Sequence, residues 1–105
     1  ATLNYRSIPI LEPAREYLAQ RVVPDATYRN WNSYSSKVAF AAGVNVMEAF
    51  NILPDPQTNG GLLIAVAPDA VQTVKDVLSD SGLSDFADPI GVIIPREEKI
   101  VTVNL

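Results

Sequence analysis

Proline placement constrains this chain more than any other feature. Without an N–H to give to a helix interior or a sheet ladder, proline sits at element ends and in turns. The chain carries eight prolines in 105 residues, so its elements must be short. Pro9 closes a loosely alternating stretch, Thr2 to Ile8, which holds Leu3, Tyr5 and Ile8 and is predicted as a strand. Pro13 falls in the first turn of a helix predicted over 12–21, where Leu11, Ala14, Leu18 and Val22 recur at three- and four-residue steps. Pro24-Asp25 marks a turn. Pro54 and Pro56 stop a short helix that Asn45 and Glu48 open as a capping box and that runs to about Phe50. Pro68 opens the clearest helix, with Ala70, Val71, Val74, Val77 and Leu78 on its core face. Asp69 sits favourably against that helix's dipole, and Ser81-Gly82 supplies the stop.

The intervening stretches complete the pattern. Leu62–Val66 is a continuous apolar run, predicted as a buried strand. Residues 90–94 and 99–103 read as two further strands, with Glu97-Glu98 in a hairpin between them. Residues 23–43 have no clean period. They are predicted as an ordered functional loop with a short strand near 37–41, and Trp31 and Tyr34 as core anchors. The order strand–helix–loop–helix–strand–helix–strand–strand is α+β, with helices packed on a mixed or antiparallel sheet in one domain. No internal repeat divides the chain.

Composition narrows the chemistry. Hydrophobic residues make up 48% and charged residues 19%, enough for a core. There is no His and no Cys, which excludes zinc and iron–sulfur sites, a Ser–His–Asp or Cys–His nucleophile, and disulfides. A net charge of −4 argues against a nucleic-acid or anionic-membrane binder. No apolar run approaches the roughly 20 residues of a membrane span, and residues 1–30 lack a signal peptide's pattern, so a cytoplasmic location is expected. No carboxylate pair has diagnostic spacing. Asp76 and Asp80 lie four apart on one helix and read as a solvated face.

Two stretches are candidates for ligand contact. In Asp55-Pro56-Gln57-Thr58-Asn59-Gly60-Gly61-Leu62-Leu63, paired glycines before an apolar run allow a tight turn with positive φ. Backbone N–H groups there can approach a ligand and form an anion nest, with Thr58 and Asn59 adding side-chain hydrogen bonds. A plain turn into a strand explains the same residues. The segment is neither GxxxxGK[ST] nor GxGxxG. In Thr27-Tyr28-Arg29-Asn30, Arg29 suits bidentate oxyanion recognition, and a surface arginine beside core aromatics is the alternative.

The run from Asp55 to Val66 resembles the D-P-Q-T-S-G-G-L-L stretch in the C-terminal domain of the selenophosphate synthetases (selenide, water dikinases), in the aminoimidazole ribonucleotide synthetase superfamily. Ile8-Pro9-Ile10-Leu11-Glu12-Pro13-Ala14 resembles that family's IP-x-L-P stretch, Val23 to Asn30 its VPGGTxRN loop, and Pro89-Ile90-Gly91 the start of a late strand. Asn59 stands where Ser is usual, and Asp25-Ala26 replaces a Gly-Gly pair. The resemblance covers nearly the whole chain. It implies that residues 1–105 are a single C-terminal domain of a longer two-domain enzyme, with which the start at Ala1 and the lack of Cys agree. That enzyme makes selenophosphate from selenide, ATP and water, releasing AMP and phosphate. It further implies that ATP, Mg2+ and the catalytic Cys or selenocysteine belong mainly to an N-terminal domain, this chain's expected partner. The full-length protein is expected to be a homodimer and the isolated chain inert. No catalytic or metal-binding residue is expected on this chain. Thr58, Asn59, Gly60, Gly61, Thr27, Arg29 and Asn30 are expected to line one wall of the active-site cleft. A free-standing small-ligand-binding or regulatory α+β module, or a purely structural interaction domain, remains the alternative.

Overall fold

A computed structural model describes all residues, 1–105. It is an α+β fold with four α-helices and a four-stranded mixed sheet. The strands are β1 (Thr2–Asn4), β2 (Val38–Phe40), β3 (Gly91–Val92) and β4 (Val101–Asn104). The helices are α1 (Glu12–Ala19), α2 (Asp25–Tyr34), α3 (Val46–Ile52) and α4 (Val71–Asp80). The sheet order is β2-β4-β1-β3. β4 runs parallel to both neighbours, with Leu3 and Phe40 flanking Val103, while β1 and β3 are antiparallel, Leu3 facing Gly91. A Cβ at Gly91 would land on the Thr2 carbonyl, so this edge pairing needs glycine there.

The core lies where β4 meets α3. Val103 and Ala49 are fully enclosed, Tyr5 and Val44 nearly so, and Ile8, Val38, Phe40, Ile52, Leu53 and Val101 pack around them. An aromatic group extends it. The Trp31 ring on α2 lies 5.7 Å from that of Phe40 and meets Phe50 edge-on at 5.3 Å, while Tyr28 stacks at a tilt on Phe50. Trp31 is therefore an anchor, as the sequence suggests. Tyr34 is not: it is exposed, with the Lys37 ammonium 5.7 Å from its ring centre.

Several elements differ from expectation. Residues 25–34 form helix α2, where the sequence predicts a loop. Its polar composition hides any apolar period, and the helix is held by Trp31 and Tyr28 instead. The first strand stops at Asn4, whose side chain accepts from the Arg6 N–H and opens a 3-10 turn, Tyr5–Ser7. β3 and β4 are not a hairpin, because β1 lies between them. Leu62–Val66 is neither a strand nor buried: Leu62 is 90% exposed and Leu63 79%. The apolar positions of α1 face solvent except Leu18, and on α4 Val77 does so while Val71, Val74 and Leu78 are half-buried.

The helix stops follow one geometry. After α4, Gly82 takes φ +74°, its N–H bonds Ser79 O, and the Leu83 N–H bonds Leu78 O at 2.8 Å. After α1 the same pair of bonds forms from Arg21 and Val22, but the left-handed residue is Arg21, at φ 62°. A Cβ is disfavoured there. Arg21→Gly is expected to hold or raise stability by up to about 1 kcal/mol, and Gly82→Ala to lower it by a similar amount, in urea titrations.

Candidate functional site

The two predicted contact stretches meet through one side chain. Asn30, half-buried on α2, donates its Nδ2 to the Pro54 carbonyl at 2.9 Å. Pro54 lies just past α3 and four residues before Thr58, so α2 is tied to the root of the glycine segment. Thr58, Asn59, Gly60 and Gly61 are all exposed. No backbone hydrogen bond involves residues 56–66, which leaves these N–H groups open to solvent or a ligand. Neither Gly60 nor Gly61 takes the positive φ that the sequence suggests; Gly43 and Gly82 do. Next to Gly60 the Gln57 side-chain oxygen occupies the space a Cβ would need.

The residues of α2 divide by face. Arg29 is exposed, and its carbonyl accepts from the Ser33 hydroxyl at 3.0 Å. Thr27, two residues earlier, is fully enclosed, and its Oγ1 has no hydrogen-bond partner. An unpaired buried hydroxyl costs about 1–3 kcal/mol. The structure thus groups Thr58–Gly61, Arg29 and Asn30 around accessible surface and keeps the Thr27 side chain beneath it.

A second polar cluster escapes sequence reasoning. Glu48 Oε1 accepts from the Tyr5 hydroxyl at 2.9 Å and from Arg15 at 2.8 Å. The sequence casts Glu48 as the returning half of a capping box. Asn45 does cap, accepting from the Glu48 N–H at 3.3 Å, but the Glu48 carboxylate turns to Tyr5 and Arg15. Its position on α3 marks it as a cap; only the meeting of α1, α3 and the Tyr5 turn reveals the cluster. Burial, and then the hydrogen bond to the Glu48 carboxylate, push the Tyr5 hydroxyl up to about 12 from 10.0.

No three or more Asp or Glu side chains converge as a metal site. Residues present here therefore do not fit a magnesium ion. A hollow of about 240 Å³ lies between Ser7, Pro9, Asp85, Phe86, Asp88 and Ile90, apart from all the predicted contact residues. Asp88 is drawn below the usual carboxylate range by a hydrogen bond from Lys75 and its charge. No helix is long and apolar enough to cross a membrane.

Comparison with known proteins decides the relationship. The chain is 39% identical over 98 residues to "Selenide, water dikinase" of Haemophilus influenzae (strain 86-028NP), covering 93% of this chain and 26% of that protein. It is 37% identical over 103 residues to the Pseudomonas putida protein of the same name, covering 98% of this chain and 28% of the relative. The chain is homologous to the selenide, water dikinases. With the Yersinia pestis dikinase the match runs over 105 residues at 32% identity, all of this chain and 28% of the relative. The chain therefore spans about a quarter of the length of the dikinases it matches. No family model matches it. No solved structure matches it.

Tyr5 gives a pH signature. The tyrosine keeps its proton to a higher pH when folded than when unfolded, so its contribution is complete below pH 10.0 and is lost as the pH rises from 10.0 towards about 12. Tyr5→Phe is expected to remove that loss and to cost about 1–2 kcal/mol at neutral pH, measured by urea unfolding at pH 7 and across pH 9–11.5.

Proposed function

We propose that the chain is the C-terminal domain of a selenide, water dikinase and forms one wall of a cleft that opens towards a nucleotide-binding domain in the same polypeptide. The enzyme so assembled converts selenide, ATP and water to selenophosphate, AMP and phosphate. The observation that carries this reading is the near-complete match to dikinases more than three times longer. The Asn30–Pro54 bond supports the siting of the wall, because it brings both resembling stretches to one neighbourhood.

Within this proposal the chain contributes shielding and orientation. A selenide nucleophile or an activated phosphoryl group in contact with bulk water is lost to hydrolysis, and closure of a polar wall excludes that water. Thr58 and Asn59 offer side-chain donors, Gly60 and Gly61 offer N–H groups that a bulkier side chain would screen, and Arg29 offers a fixed positive charge to an oxyanion. Asn30 orients the wall through Pro54, and Thr27 packs beneath it. ATP and Mg2+ are held mainly by the partner domain, and the isolated chain is inert.

Full-length enzyme carrying Thr58→Ala or Gly61→Val is expected to lose about tenfold or more in selenide-dependent AMP formation, corresponding to about 1.4 kcal/mol of transition-state stabilisation. Turnover and ATP affinity both unchanged in both variants would overturn the wall. The isolated chain is expected to form no AMP and to bind ATP no tighter than millimolar in calorimetry; submillimolar binding or any turnover contradicts the reading.

A further inference from the structure

The least satisfied part of the molecule is the apolar run after the glycine pair. Leu62, Leu63 and Ile64 are 90%, 79% and 54% exposed, and no backbone hydrogen bond involves residues 56–66. Unpaired backbone beside exposed aliphatic side chains is a template for strand pairing with another chain. We propose that Leu62–Val66 is a self-pairing strand through which two copies of the chain associate, antiparallel about a two-fold axis at Ile64.

Three observations favour a second copy as the occupant. First, the segment is self-complementary in charge. From Gln57 to Pro68 no residue is charged, and pairing about Ile64 sets Asp69 opposite Asn59 and Asp55 opposite Thr73, so no like charges meet. Second, the apolar faces match. Leu62 lies opposite Val66, Leu63 opposite Ala65, and Ile64 opposite its own copy, and an isologous contact of this kind closes at two chains. Pro56 and Pro68 bound any ladder, which leaves Thr58–Gly61 at its ends. Third, there is area to cover. The accessible surface is 7919 Å², against about 5,800 Å² for a compact chain of this mass, an excess of roughly 2,100 Å². A standard interface takes about 800 Å² from each partner, well within that excess.

Self-pairing through Ile64 is independent of the dikinase reading, and either can fail alone. The chain contains no cysteine, so a single introduced thiol reports cleanly. Directly opposed antiparallel residues sit about 4.5–5.5 Å apart between Cα atoms, within disulfide reach. In sedimentation equilibrium at about 10–100 μM, the chain is expected to show twice its 11.4 kDa mass. Ile64→Lys, which sets two ammonium groups opposite each other, is expected to weaken association at least about tenfold with far-UV circular dichroism unchanged. Ile64→Cys is expected to cross-link to a dimer under mild oxidation, and Ser79→Cys on α4 is not. A monomer throughout that range means that another segment or partner covers the run and overturns the proposal. A dimer indifferent to Ile64→Lys, or equal cross-linking at both cysteines, overturns it as well.

Discussion

The structure depends on where β4 sits. The last strand in the chain occupies an inner position, parallel to β1 on one side and β2 on the other, and its Val103 is wholly enclosed. Parallel neighbours cannot be joined by a tight turn, so the chain between them must leave the sheet and return. α1 and α2 occupy the connection from β1 to β2, and α3 and α4 lie between β2 and β4. The pairing is also non-local: the Thr102 N–H reaches the Ala1 carbonyl, and the Ala41 N–H reaches that of Val103. The sheet cannot close until both ends of the chain are present, which makes its assembly slow for a chain this small.

Because few apolar side chains are enclosed, polar ties carry an unusual share of the positioning. Glu48 joins three separate segments, reaching Tyr5 after β1 and Arg15 on α1 from its own place on α3. Asn30 does the same between α2 and Pro54. Lys99 reaches the Ser36 carbonyl at 2.7 Å, beside the Lys37–Ile100 backbone bond that extends β2 along β4. Each bond contributes about 1 kcal/mol at most when solvent has access, yet each holds an element that apolar burial alone leaves loose.

What could be read in the sequence followed from local signals. Pro13, Asn45 and Pro68 mark the starts of α1, α3 and the turn into α4, and Gly82 marks the α4 stop, because caps and breakers act within one turn. α2 was hidden because Asp25, Asn30, Asn32 and Ser33 dilute any apolar period, while the contacts that stabilise it come from Phe40 and Phe50. Leu62–Val66 failed for the opposite reason. Five apolar residues in a row meet the pattern of a buried strand, but burial requires a partner, and periodicity does not say where one lies. The hairpin expected from residues 90–103 was lost to β1, which competes for the same edge from the far end of the chain. The contact residues were legible as types and spacings. That the Thr27 side chain turns inward while Arg29 faces outward follows only from how α2 docks on the aromatic group.

These points converge on the balance between size and burial. The radius of gyration is 14.9 Å, against about 13 Å for a compact domain of this length. Exposed leucines, isoleucines and valines are spread over the α1 face, the run after Gly61, α4 and the β3 edge. A chain that spends so little of its apolar content on its own core keeps a small stability margin. Covering apolar area contributes about 25 cal/mol per Å², so even a few hundred Å² covered by a neighbouring surface would rival that margin. Folding and association are then thermodynamically coupled: whatever covers the apolar run stabilises the sheet, and whatever loosens the sheet weakens its contacts with that cover. The polar residues Thr58–Gly61 stand at the border of this apolar surface. Docking there would fix their position without any change in the residues themselves.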